Sequence, residues 1–298
     1  MNYAKFSVDY RIKKLVREGV ISKFGVLIDE TRLGFSLAQV LLKIRITNKA
    51  EEKRVVSELA DNPFTVWVVR CGGEYNFALE VYARDLSHLD HTLNELSKKI
   101  GSALLSLASF LVSYQYKYSY GVGPLIDGLD QKCEKQEFQY PSKVFPISDP
   151  EKSLLAALER DGRATSVKLG EEVGLDQDTV VYHLKKLMKS KILLGVSPHI
   201  NLLGLGFQKY IVIVRLKNVS MPSNPMKGFI QSNPFIRYGV RHVGTMQLYL
   251  LVFADSTGHF YKILEEMEFS FPDIIDSIDF YPVFEKYKES IFPKGLQE

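Results

Sequence analysis

The chain writes the same pattern twice, and this repeat limits the folds open to it more than any other property. Residues 7–15 (SVDYRIKKL) lie over residues 179–187 (TVVYHLKKL), an offset of 179 − 7 = 172. Leu33-Gly34-Phe35 falls on Leu205-Gly206-Phe207 at the same offset, and Asn62-Pro63-Phe64 falls on Asn233-Pro234-Phe235 at 171. Arg70 and Gly73 match Arg241 and Gly244, also at 171. A register kept over so long a span, with one deletion for a loop to absorb, marks a duplication. With 298 residues and 46% hydrophobic content, each half has enough apolar material for cores of its own.

The second half holds the more complete unit. Ser148 stands three residues before Glu151 with Pro150 between them, a helix start. Leu154, Leu155 and Leu158 follow at helical spacing, and Gly162 ends the helix. A second short helix is expected over 165–173, closed by Gly174, and Asp176 can cap a third. In that third helix Val180, Leu184 and Leu187 share an inward face, while Tyr182, Lys185, Lys186 and Lys189 lie opposite. Two short β-rich pieces, 192–196 and 199–202, broken at Ser197-Pro198, would form a wing. Three helices and a wing make a DNA-reading module whose third helix enters the major groove. Gln177, Thr179, Val181, Tyr182 and His183 would then lie near bases, with Lys185, Lys186 and Lys189 near phosphates, where cations release condensed counterions.

The first half repeats the third helix, with Val8, Ile12 and Leu15 expected inward and Tyr10, Arg11, Lys13, Lys14 and Arg17 outward. An offset of 172 leaves no room in this sequence for the two helices that should precede it. Each half then continues as strand, helix, strand, strand, helix, strand: 37–47, 49–60, 64–71, 75–83, 86–100 and 104–118, and again 209–216, 224–231, 235–243, 246–253, 259–268 and 274–284. This βαββαβ order predicts a four-stranded antiparallel sheet with both helices on one face. Its open face needs a cover, and the sister sheet is the natural one, packed within the chain as an internal pseudo-dimer or across a dimer. Trp67 and the tyrosines Tyr114, Tyr116 and Tyr118 are expected to pack that interface.

The expected fold class is therefore α+β, a tandem repeat of winged helix-turn-helix and ferredoxin-like domain. Its divisions are a partial winged helix at 1–34, an α/β sandwich at 35–118, a Gly/Pro-bearing linker at 119–147, a complete winged helix at 148–206 and a second sandwich at 207–298.

Other chemistry is sparse. Cys71 and Cys133 form no C-x-x-C pair, and His88 and His91 lack acidic or thiol companions, so no metal is expected. His242, in Arg241-His242-Val243-Gly244 at a strand end, is read first as a polar terminus. No phosphate loop or nucleophile elbow is present, so neither a cofactor nor catalysis is expected. The formal charge of +3 allows a polyanionic partner without demanding one. Apolar runs fall short of the roughly 20 residues of a membrane span, no secretory signal is visible, and the cytoplasm is the default location.

Taken together, residues 7–21, Leu33-Gly34-Phe35 and Gly73-Glu74-Tyr75-Asn76-Phe77 make the chain resemble the Lrp/AsnC family of feast/famine regulators. The resemblance implies double-stranded DNA as partner, a ligand-binding α/β domain, a homodimer, and an amino acid as effector. That effector would lie at the central turns, near Gly73, Tyr75 and Asn76 and near Gly244, Met246 and Gln247. The sequence departs from the family in being a tandem, in placing Asn76 where aspartate is usual, and in placing His183 where Arg11 stands in the first half. A sirohaem-decarboxylase-like enzyme on the same architecture is the alternative, favoured by the incomplete first winged helix and the departures at the central turn; that resemblance implies tetrapyrrole work for His242 as its second reading.

Overall fold

A computed structural model describes residues 5–118, 138–139, 144–217, 224–244 and 248–297. Two of the positions named above, Met246 and Gln247, lie outside the described residues, as do Cys133 and most of the expected linker.

Each half builds the expected α/β unit. The first comprises β2 (Ser36–Ile44), α2 (Lys49–Asp61), β3 (Thr65–Cys71), β4 (Phe77–Ala83), α3 (Leu86–Ile100) and β5 (Leu104–Tyr118). The second comprises β8 (Gln208–Leu216), α7 (Asn224–Ser232), β9 (Ile236–His242), β10 (Leu248–Ala254), α8 (Thr257–Ser270) and β11 (Ile275–Glu289). Alternation along the strands sends one set of side chains outward to the helices. Val40, Leu42, Val68 and Leu79 meet α2 and α3, while Val212, Val214, Leu250 and Val252 meet α7 and α8.

The two sheets do more than face each other. The last strand of each half is long; its first part pairs within its own sheet, and its second part crosses to the other half. The order β2-β4-β3-β11-β8-β10-β9-β5 returns to β2, a closed ring of antiparallel strands. Its two seams share one register. Cys71 opposes Val283 and Val69 opposes Lys286, while His242 opposes Val112 and Val240 opposes Gln115. Every residue of the first seam maps onto the second at an offset of 171, so the ring has a pseudo-two-fold axis. Closure leaves none of its strands as a bare edge. Trp67 and Tyr118 turn into the ring as expected, whereas Tyr114 and Tyr116 lie outside it with the apolar cluster beneath α7. From the stretch expected to be linker, β6 (Phe138–Gln139) adds to β5, and the Phe145 N–H donates to the Arg32 carbonyl at 2.8 Å.

The winged-helix end also differs from expectation. α4 (Asp149–Arg160), α5 (Ser166–Val173) and α6 (Gln177–Lys189) form where the sequence indicates, around Leu154, Leu155, Leu169, Val180 and Leu187. The expected hairpin wing does not form. β7 (Leu193–Ile200) runs straight through Ser197-Pro198 and pairs with β1 (Ile21–Ile28) of the first half, Gly25 opposite Ser197. In a two-stranded ribbon each strand keeps an open side, so the missing N–H of Pro198 interrupts no further ladder. Gly25 and Ser197 are themselves repeat equivalents, and the pseudo-axis of the ring thus runs through this ribbon too.

α1 (Lys5–Arg17) departs furthest from its reading. Val8 and Leu15, expected inward, are 40% and 38% exposed; among the described residues α1 rests on β1, with no counterparts of α4 and α5 beneath it.

Candidate nucleic-acid interface

α6 is held at both ends. Asp176 caps it by accepting from the Thr179 N–H at 2.9 Å, and the Thr179 hydroxyl donates to the same carboxylate at 2.6 Å. Val180 and Leu187 are buried against α4 and α5, and the helix hands over to β7 through an Ile192 N–H to Leu187 carbonyl bond of 3.1 Å. The far side of α6 presents Gln177, Tyr182, Lys185 and Lys189 to solvent, with Val181 half-buried beside them. Tyr182 is 64% exposed and meets the His183 ring edge-on at 5.3 Å.

Two residues expected on the DNA-facing side are engaged within the protein. Lys186 Nζ lies 2.8 Å from Glu151 Oε1, and His183 Nδ1 lies 3.3 Å from the same oxygen. The other carboxylate oxygen accepts from the Ser148 N–H at 2.8 Å and from its hydroxyl at 3.0 Å. Burial alone would raise the Glu151 carboxyl. Bonds from Lys186, the Ser148 backbone and His183 outweigh it and hold the group at about 2. The capping box at Ser148 was legible in the sequence, but its second use as an anchor for α6 was not, because nothing local links residue 151 to residue 186.

On α1, Tyr10, Arg11, Lys13, Lys14 and Arg17 are exposed, with Lys14 in an i,i+4 pair with Glu18 at 3.8 Å. Asp9 meets Arg163 at 2.9 Å, and the Arg163 guanidinium lies 5.1 Å from the centre of the Phe24 ring. The Gly162 N–H donates to the Phe24 carbonyl at 3.0 Å. The first half's strand therefore serves as the wing of the second half's helices.

The winged helix-turn-helix DNA-binding family profile matches residues 148–193, the span of α4, α5 and α6. An HTH-type transcriptional regulator of Pyrococcus abyssi (strain GE5 / Orsay) is 30% identical over 104 residues, 35% of this chain and 69% of that protein. A second from the same organism is 31% identical over 121 residues, 40% of this chain and 74% of that protein. The chain belongs to the Lrp/AsnC family of HTH-type transcriptional regulators. Among solved structures, the sirohaem decarboxylase NirDL in complex with an iron-uroporphyrin III analogue superposes over 99% of this chain and 87% of its own, with a TM-score of 0.65 and 10% identity. At that identity the match describes the shared tandem fold alone.

In this Lrp/AsnC chain the central turns are built as backbone fittings. Gly73 and Gly244 occupy equivalent places at φ of 114° and 105°, conformations that favour glycine. Asn76 Oδ1 accepts from the Ile44 N–H at 2.8 Å and Nδ2 donates to the Ile44 carbonyl at 2.7 Å, so the amide is committed to β2. Tyr75 packs 6.2 Å from Tyr281. His242 is 1% exposed; its Nε2 bonds to Gln39 Oε1, and its ring stacks on Phe110 at 5.3 Å. Gln39 donates in turn to Glu80 at 2.9 Å inside the ring. The polar ring interior, with Glu80, Lys209 and Arg237 beside apolar strand residues, went unread in the sequence. Its signal was a charged residue breaking each of FALEVYA, QKYIVIVRL and IRYGVRH.

Proposed function

We propose that the chain is a sequence-specific DNA-binding transcriptional regulator that reads the major groove with α6. The observation that carries this reading is the exposed row Gln177, Tyr182, Lys185 and Lys189 on a helix supported from below by α4 and α5. In this reading Gln177 and Tyr182 would meet base edges, and Lys185 and Lys189 would meet phosphates. Tyr10, Arg11, Lys13 and Arg17 on α1 form a second, pseudo-symmetric basic patch for flanking phosphates. A palindromic operator needs two complete modules, so a homodimer would occupy it. Such a regulator works in the cytoplasm beside the genome.

The test is duplex binding by the purified protein across a salt series, with genomic fragments selected on the protein as bait. Lys185→Ala with Lys189→Ala is expected to weaken binding to all sequences and to reduce the salt slope by about 2. Unchanged affinity and slope would remove α6 from the interface.

One observation favours a second reading, sirohaem decarboxylation: the tandem fold matches that of NirDL over nearly the whole chain. Against it, the histidine that the sequence offered for tetrapyrrole chemistry is enclosed by Gln39 and Phe110. An absorbance titration with iron-uroporphyrin III separates the two, and a shifted Soret band would favour the enzyme.

A further inference from the structure

The pseudo-axis relates two clefts, each between the β1/β7 ribbon and one mouth of the strand ring, and the two have diverged. The first is a slot of about 40 Å³ bounded by Leu37, Val66, Glu30 and Glu80. The second measures about 350 Å³ and carries Lys209, Arg237, Lys286 and Glu289. At offsets of 172 and 171, Lys209 stands where the first cleft has Leu37, Arg237 where it has Val66, and Lys286 where it has Gln115. In exchange, Glu30 and Glu80 of the closed cleft are replaced by Leu202 and Leu251. The wider cleft therefore has cations at three positions where its twin has none, leucines in place of two acids, and Glu289 in place of Tyr118.

We propose that the open cleft between β7 and the ring is a binding site for a small organic carboxylate with an apolar body. Lys209 Nζ lies 4.3 Å from the centre of the Trp67 ring and makes no ion pair among the described residues, leaving its donors for a ligand oxygen. Arg237, 8% exposed and 5.3 Å from the centre of the Phe253 ring, lines the same cleft. The Tyr238 hydroxyl, on a side chain 4% exposed, has no hydrogen-bond partner among the described residues, and Tyr238 stands between the two clefts and lines both. Leu251, Phe253 and Val283 form an apolar wall, and the volume lies in the range that holds a small ligand. Glu289 is turned to Lys286 and His199, which with Lys209 hold it far below its usual range although burial alone would raise it. Lys209 is thus the cleft cation that Glu289 leaves without an ion pair among the described residues. The cleft lies at the start of β8, at the end of the sheet opposite the Gly244 turn, and its assignment stands whether or not α6 reads DNA.

Calorimetric titration of the full chain at pH 7 with benzoate, phenylacetate and 4-methylpentanoate tests this, with benzyl alcohol and inorganic phosphate as comparators. Saturable binding of at least one carboxylate is expected, about tenfold or more tighter than benzyl alcohol. Lys209→Leu and Arg237→Val, which install the residues of the closed cleft, should each weaken it by about tenfold. No saturable carboxylate binding, equal binding of benzyl alcohol, or indifference to both substitutions would overturn the assignment. Phosphate binding as tight as the best carboxylate would overturn the apolar body. Should either variant fail to fold, the wild-type pH profile decides. Burial brings the Lys209 ammonium down to about 8, with Lys286 and Arg237 pushing the same way and Glu289 and Glu80 opposing. Affinity should therefore fall as pH rises from 7 to 9, and a flat profile would count against Lys209 as the anion's partner.

Discussion

Lys186 on α6 and Glu151 on α4 meet at 2.8 Å, and this pair fixes the angle at which the proposed reading helix leaves its support. Glu151 is fully buried, whereas Lys186 stays half exposed, so the carboxylate is the partner that loses most if the pair is broken. Glu151→Gln is expected to cost about 2 kcal/mol at pH 7 in urea unfolding. The sign follows from a folded value near 2 against 4.5 unfolded: the stabilisation is complete above about 4.5 and fades as pH falls toward 2. The gap between wild type and variant should close over that window, and a gap independent of pH would refute the role given to the charge.

The repeat supplies matched sites for a packing experiment. Leu15 and Leu187 are equivalents, yet Leu187 is 1% exposed and Leu15 is 38% exposed. Leu187→Ala should cost about 3 kcal/mol by leaving a cavity in the three-helix core, and Leu15→Ala less than about 0.5 kcal/mol. Similar losses from both would mean that α1 has a buried face.

Asn76 is a more exacting position, since its amide both donates to and accepts from Ile44. Asn76→Asp keeps the size and the acceptor but turns an oxygen toward the Ile44 carbonyl. A loss of about 2 kcal/mol in thermal or urea unfolding is expected, although aspartate is the usual family residue here. A neutral outcome would show that the turn is held by its backbone alone.

Inside the ring, burial lifts the Glu80 carboxyl to about 7, only partly opposed by the bond from Gln39. A group with a raised folded value keeps a proton that the unfolded chain releases, so stability falls as pH rises from about 4.5 to about 7 and stays low above. Glu80→Gln, which preserves an acceptor for Gln39, should stabilise the protein by about 2 kcal/mol at pH 8 and leave it unchanged at pH 4. Unfolding curves at the two pH values check both halves of the statement.

The two βαββαβ units were readable from residue spacing because their patterns are local: alternation in β4, helical recurrence in α6, Ser148 and Glu151 at a helix start. The ring was not, because its seams join Cys71 to Val283 and Val112 to His242, partners far apart along the chain. The wing was misread for a related reason. Ser197-Pro198 breaks a strand by local rules, yet β1 supplies a neighbour that makes the break harmless. Val8 and Leu15 had the right period for burial, but among the described residues no helix pair lies beneath them as α4 and α5 lie beneath α6. The cleft cations could be seen as interruptions of apolar strands, but their convergence required the fold.

Both seams of the ring close within one polypeptide, and this changes how the molecule responds to dilution. Two separate chains joined by such seams would fall apart below their dissociation constant, and the amount of assembled protein would track expression level. Here the halves stay at a fixed effective molarity set by their covalent connection. Each half is also free to drift in sequence without having to complement a copy of itself, which is the condition under which one cleft can fill with acids while its twin gathers cations.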